Sequence, residues 1–159
     1  MLALYAFDHE LARAGRVTSN PLMAEIRLTW WSEALDEIYE GRPVRRHPTA
    51  QALADAVRRR ALPRDPLEAA IDAWSEGDPA AAAGAIAEAA ALVLDPAADR
   101  AAARTAGRTW RTGVDAEGRA ASRRLSAAAF PAVAHAALRP GGDLRRRIHL
   151  TWAVLRGSL

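Results

Sequence analysis

Apolar residues recur along this chain at helical spacing. The clearest run is Leu22, Ile26, Trp30, Ala34 and Ile38, four apart, with Met23, Trp31, Leu35 and Tyr39 beside them. A period near 3.6 gathers these into one stripe and predicts a helix over 21–40. The same reading gives helices near 2–14, 48–61 (Leu53 and Val57 inward), 66–75, 79–94, 96–112 and 115–129, with a further turn or two to Leu138. A last helix starts at Asp143 and carries Ile148, Trp152, Leu155 and Leu159 along one side. The stretches 79–94 and 96–112 are Ala-rich and read as weakly anchored, because an alanine buries little area.

Punctuation agrees with this pattern. Asn20-Pro21, Asp65-Pro66, Asp78-Pro79 and Asp95-Pro96 each set a capping side chain before a proline. The cap oxygen accepts from free backbone N–H groups, and proline at the first helical position loses no bond. Asp65 followed by Glu68 also has the spacing of a capping box. Gly41, Gly113 and Gly157 read as helix stops, and Arg139-Pro140-Gly141-Gly142 as a turn.

Composition sharpens the class. The 159 residues are 50% hydrophobic and include 40 alanines, while β-branched and aromatic residues are scarce. Alanine and arginine are both good helix formers, so the fold class is all-α. The length suits a single domain, 1–159, with a core large enough to need no disulfide. With no cysteine there is no thiolate zinc site, no iron–sulfur cluster and no cysteine nucleophile. No apolar run reaches the ~20 residues that span a bilayer. The start, with Asp8, His9 and Glu10 directly after Met1–Phe7, does not read as a signal peptide.

All 22 basic residues are arginine, and the net charge is +3. The charge is unevenly spread. Residues 101–159 hold 11 arginines against three acids, +8, on an otherwise mildly acidic body. That asymmetry suits an anionic membrane, a nucleic acid or an acidic partner, and equally a solvated arginine face. The run Arg58-Arg59-Arg60 closes a helix, where cations favour the dipole. Arg145, Arg146 and Arg147 lie near a helix start, which cations do not favour, so this run is the candidate for binding an anionic partner.

Candidate chemistry is sparse. His9-Glu10 lacks the second histidine of a zinc helix, and no phosphate loop or nucleophile elbow occurs. Glu33, Asp36, Glu37 and Glu40 share one helical face and have oxygen ligands of the type Mg²⁺ takes, but that face lies opposite Trp30 and Ile26 and reads as solvated.

Three blocks carry a resemblance. They are Ala3-Leu4-Tyr5-Ala6-Phe7-Asp8-His9-Glu10-Leu11-Ala12-Arg13 with Pro21-Leu22 and Glu25 to Leu35, then Ala106-Gly107-Arg108-Thr109-Trp110, then Phe130 to Ala134 with Leu150 to Gly157. Together with Ile38-Tyr39, Gly41, His47-Pro48 and Ala52-Leu53, they resemble the squalene/phytoene synthase family. Within it they are similar to a bacterial branch related to a mitochondrial complex I assembly factor. The resemblance implies an all-α bundle of the isoprenoid (trans-prenyltransferase) synthase type. It also implies a prenyltransferase that joins prenyl diphosphates head to head, with two aspartate-rich motifs holding Mg²⁺.

The chain departs from that pattern. Aligned from Tyr5-Ala6-Phe7, the first motif's aspartates fall on Ala12, Arg13 and Arg16. Arginine cannot ligate Mg²⁺ and repels it. The chain also reads as truncated, beginning late and lacking central helices. The leading expectation is therefore a pseudoenzyme acting in binding or assembly, with no confident catalytic residue and no cofactor expected. It would be cytoplasmic, with peripheral contact at the inner membrane, and would meet prenyl diphosphate, lipid, a protein partner or a second copy. The alternative is an active Mg²⁺-dependent prenyltransferase in isoprenoid biosynthesis using displaced carboxylates, Asp8 with Glu10, or Glu33 with Asp36 and Glu37. A third reading, an Arg-rich nucleic-acid binder, ranks last for want of a helix-turn-helix pattern or interleaved stacking aromatics.

Overall fold

A computed structural model describes residues 1–16, 21–137 and 143–159, and the side chains of all these except 15, 16, 137 and 143–148. Among the described residues every regular element is helical: α1 (Leu2–Arg16), α2 (Pro21–Tyr39), α3 (Pro48–Arg60), α4 (Asp65–Ser75), α5 (Pro79–Leu94), α6 (Arg100–Thr112), α7 (Ala116–Ser122), two 3₁₀ turns (Phe130–Ala132 and Ala134–Ala137) and α8 (Asp143–Arg156). The all-α class follows. The Arg139–Gly142 turn and the Asn20 cap lie outside the described residues.

The Ala-rich α5 is the centre of the bundle rather than a weakly anchored piece. It is buried nearly all round, from Ala82 through Val93 with the exception of Ala83, and α6, α4 and α1 pack against it. Small side chains bring backbones close, which replaces per-residue area with contact density. A Cβ at Gly84 would stand 2.7 Å from the Arg104 carbonyl, and one at Gly107 would collide with the Ala87 methyl. Polar anchoring adds to this. Glu88, in the midst of the alanines, is 2% exposed and accepts from Arg100 Nε and Arg104 Nε, each at 2.6 Å. Such a buried carboxylate is tolerated because it is paired and hydrogen-bonded.

Local capping accounts for several boundaries. Asp78 accepts from Ala80 N and Ala81 N at 3.0 and 2.8 Å and starts α5. Asp115 accepts from Gly118 N at 2.7 Å and starts α7. Gly41, Gly113 and Gly157 have positive φ and end α2, α6 and α8.

Several expected boundaries move. Asp65 lies inside α4 and pairs with Arg100, while Glu68 turns to Arg64 (2.7 Å), so no capping box forms. Asp95 holds Ala97 N at 3.0 Å in a local turn, and the helix begins only at Arg100, capped by Asp99 on Ala102 N. The helix expected over 115–129 stops at Ser122. Beyond it, i→i+3 bonds from Arg124 N and Leu125 N tighten the chain. There Ser126 Oγ donates to Asp95 (2.5 Å) and accepts from Ala129 N (3.2 Å), bonds that compete with helix continuation.

Two apolar stripes are only partly inward. On α2, Leu28, Trp31, Ala34, Leu35 and Ile38 are buried, whereas Leu22, Met23 and Ile26 stay exposed. On α8, Ala153 is buried and Leu150 packs on the core, while Trp152 and Leu155 face solvent. The side chain of Ile148 lies outside the described residues.

Candidate functional site

Ile26, on the exposed part of the α2 stripe, helps to wall a large cavity of about 450 Å³ between α1 and α2. Helical spacing places Glu10, Arg13 and Ala14 of α1 opposite Ile26, Arg27, Trp30 and Trp31 of α2, and the segment before α3 adds His47. Trp30 and Trp31 meet edge to face with centroids 4.9 Å apart, and His47 stands edge-on to both, at 5.2 and 5.3 Å. Phe7 supports Trp31 from the core side at 5.2 Å. These edge-to-face contacts fix the indole orientations. His47 Nδ1 is buried there without a hydrogen-bond partner. A second groove of about 310 Å³ continues along α2 over Leu22, Ile26 and Trp30.

The rim carries charge. Arg45 lies over the Trp30 ring, 4.6 Å from its centroid, and donates to Trp30 O at 3.1 Å. Its guanidinium also binds Glu37 (2.8 Å) and Glu33 (3.2 Å), and its backbone N–H reaches Glu37 at 2.9 Å. The hydrogen bonds from the Arg45 side chain, then that from its backbone, push the Glu37 carboxyl down to about 2. Asp36 is bound by Arg64 at 2.5 Å, and Glu40 by Arg42 at 2.6 Å. The acidic face of α2 is thus laced with arginine from the following segments, not merely solvated.

A smaller cavity, about 150 Å³, lies on another side of α1. It is lined by Tyr5, Asp8, Ile86, Trp110 and His135 among others. His135 is edge-on to Trp110 at 5.1 Å and to Tyr5 at 6.2 Å. Burial lowers the His135 pKa and keeps the ring neutral. Burial, and then the Asp8 carboxylate, raise that of the Tyr5 hydroxyl.

The sequence-derived positions therefore separate. Ala12 is buried, and Arg13 is exposed on the rim of the large cavity with Glu10 at 3.4 Å. The Arg16 side chain, like those of Arg145, Arg146 and Arg147, lies outside the described residues. Asp8 faces the small cavity and Glu10 the large one, so these two candidates are not brought together. Glu33 and Glu37 share one guanidinium, and Asp36 goes to another. Among the described residues no three His, Asp or Glu side chains are grouped to hold a metal ion. The donor set does not fit Mg²⁺, because a cation would have to displace the arginines that already neutralise these carboxylates.

Sequence reasoning gave no site role to His47, Arg45, Trp110 or His135. His47-Pro48, directly before a helix and immediately after the pair Arg45-Arg46, was the available signal for the first two. Nothing local marked the others, since Trp110 and His135 meet only through packing.

Residues 1–77, which hold α1 to α4 and the whole of the large cavity, match the squalene/phytoene synthase family. No curated protein and no solved structure matches the chain.

Proposed function

We propose that this chain is a squalene/phytoene synthase family protein, folded over 1–159 as one domain, that works by binding rather than by condensing prenyl diphosphates. The match of residues 1–77 supports the family. The observation that carries the functional part is Arg13. Where the resemblance expects a metal-binding aspartate, a guanidinium stands on the rim of the Trp-walled cavity.

The chemistry of that cavity favours one kind of ligand. Ile26, Trp30 and Trp31 offer an apolar wall to a hydrocarbon chain. Arg13 and Arg27 offer charge to an anionic head without a bridging metal. Condensation requires the departing diphosphate to be stabilised, which in this family is the work of Mg²⁺ on carboxylates. Here the neighbouring carboxylates are committed to Arg45 and Arg64. The resemblance of the N-terminal and C-terminal blocks to a complex I assembly branch supports, as part of this proposal, a role in assembly at a membrane face or with a protein partner.

The test is incubation of the folded protein with farnesyl diphosphate, with and without Mg²⁺, measuring both binding heat and diphosphate release. The expected result is no Mg²⁺-dependent diphosphate release, and any binding insensitive to the metal and weakened by Trp30→Ala. Mg²⁺-dependent release that disappears in Glu33→Gln or Asp8→Asn would overturn the proposal and reinstate the prenyltransferase.

A further inference from the structure

Part of the apolar stripe of α8, Trp152 and Leu155, is turned away from the core. Ala153 and Leu150 make the inward side. Successive residues point about 100° apart, so Trp152 and Leu155, three positions apart, share the outward side. Leu155 is 74% exposed and Trp152 54%. Basic groups flank that side. The Arg156 guanidinium lies over the Trp152 ring at 5.0 Å. A groove of about 200 Å³ beside it is lined by Arg119, His149, Trp152 and Arg156, and among the described residues by no acidic side chain. Arg119 donates to Val114 O at 3.2 Å, and neither Arg119 nor Arg156 is ion-paired among the described residues. Elsewhere on the molecule arginines are commonly matched to carboxylates, as Arg45, Arg64 and Arg100 are.

We infer that this face seats on an anionic lipid bilayer, with Trp152 and Leu155 entering the headgroup boundary and Arg119 and Arg156 meeting lipid phosphates. An outward apolar stripe bordered by arginines suits an interface that is apolar on one side and negative on the other. Indole rings favour that depth, since one end is apolar and the other wet. The cations of this groove stand apart from Arg104, Arg108 and Arg124 of the same basic third, which are paired with Glu88, Asp78 and Asp99. A nucleic acid would use the same cations but would leave Leu155 and Val154, both exposed, without a partner.

The test is co-sedimentation with vesicles of phosphatidylcholine, with and without phosphatidylglycerol as a third of the lipid, and a parallel titration with duplex DNA. Binding is expected only to the phosphatidylglycerol vesicles. Trp152→Ser with Leu155→Ser should weaken it by about tenfold or more, at unchanged helicity and Tm, because both side chains are already exposed. Arg119→Gln and Arg156→Gln should each weaken it by roughly fivefold. Three outcomes overturn the inference: no vesicle binding by the folded chain, binding indifferent to the Trp152/Leu155 pair, or tighter binding to DNA than to vesicles. None of them bears on the Arg13 argument, which concerns the opposite end of the sequence.

Discussion

Replacing Gly107 with alanine separates local helix preference from tertiary packing. On propensity alone, Gly→Ala in the interior of α6 should stabilise by about 1 kcal/mol. Packing gives the opposite sign. A Cβ at Gly107 falls on the Ala87 methyl, 3.0 Å from the Ala83 carbonyl oxygen and 3.2 Å from the Gly84 Cα. Two of these three atoms are backbone and cannot rotate away, so α6 must lift from α5 along their whole contact. Overpacking of this kind costs about 1–3 kcal/mol and occasionally more. With no side chain able to yield, the upper end applies, and after the propensity gain the net loss is about 2 kcal/mol. For a chain of this length that is a Tm lower by about 4–8 °C. The assay is thermal unfolding followed by circular dichroism, in a cycle with Ala87→Gly. The second change removes the methyl that the first collides with, so the pair should recover about 1 kcal/mol or more over the sum of the singles. A Gly107→Ala variant that is more stable than the parent, or a cycle with no coupling, would refute the α5–α6 register described here.

Three further outcomes are expected. His135 is half-buried with a lowered pKa, so its contribution to stability is complete above its ordinary value of 6.5 and is lost as pH falls from there toward the folded value; Tm should decline over that window and the decline should flatten in His135→Phe. Glu37, held down to about 2 by Arg45, contributes stability that is complete above the ordinary 4.5 and lost between there and about 2, so Glu37→Gln should remove part of the acid sensitivity that Tm shows in that range. His47→Phe keeps the edge-to-face packing against Trp30 and Trp31 while deleting the unpartnered Nδ1, and should raise stability by about 1 kcal/mol in denaturant melts.

Helix identity and most helix starts were determined by the sequence, because they rest on atoms a few residues apart. Asp78 and Asp115 cap the N–H groups two or three positions on, and Gly41, Gly113 and Gly157 end their helices whatever packs around them. The same local logic failed where a distant partner outbid it. Asp65 left its cap for Arg100, 35 residues away, and Ser126 joined Asp95 across 31. Periodicity also gave the α2 and α8 stripes correctly as stripes. It could not say that the first turns of α2 would border a cavity or that the Trp152–Leu155 side would face out, since a stripe records which residues share a side and not what covers it. The candidate site lies at the same divide. That Arg13 stands where the resemblance expects a motif aspartate is readable in the chain. That Arg45 and Arg64 take up acids of α2, eight and 28 positions away, was decided only when the helices packed, as was the packing of His47 against two indoles. Alanine shows the division most plainly. Its abundance fixes an all-helical chain through propensity. Only the close approach of α5 and α6 at Gly84 and Gly107 turns the most alanine-rich helix into the centre of the core.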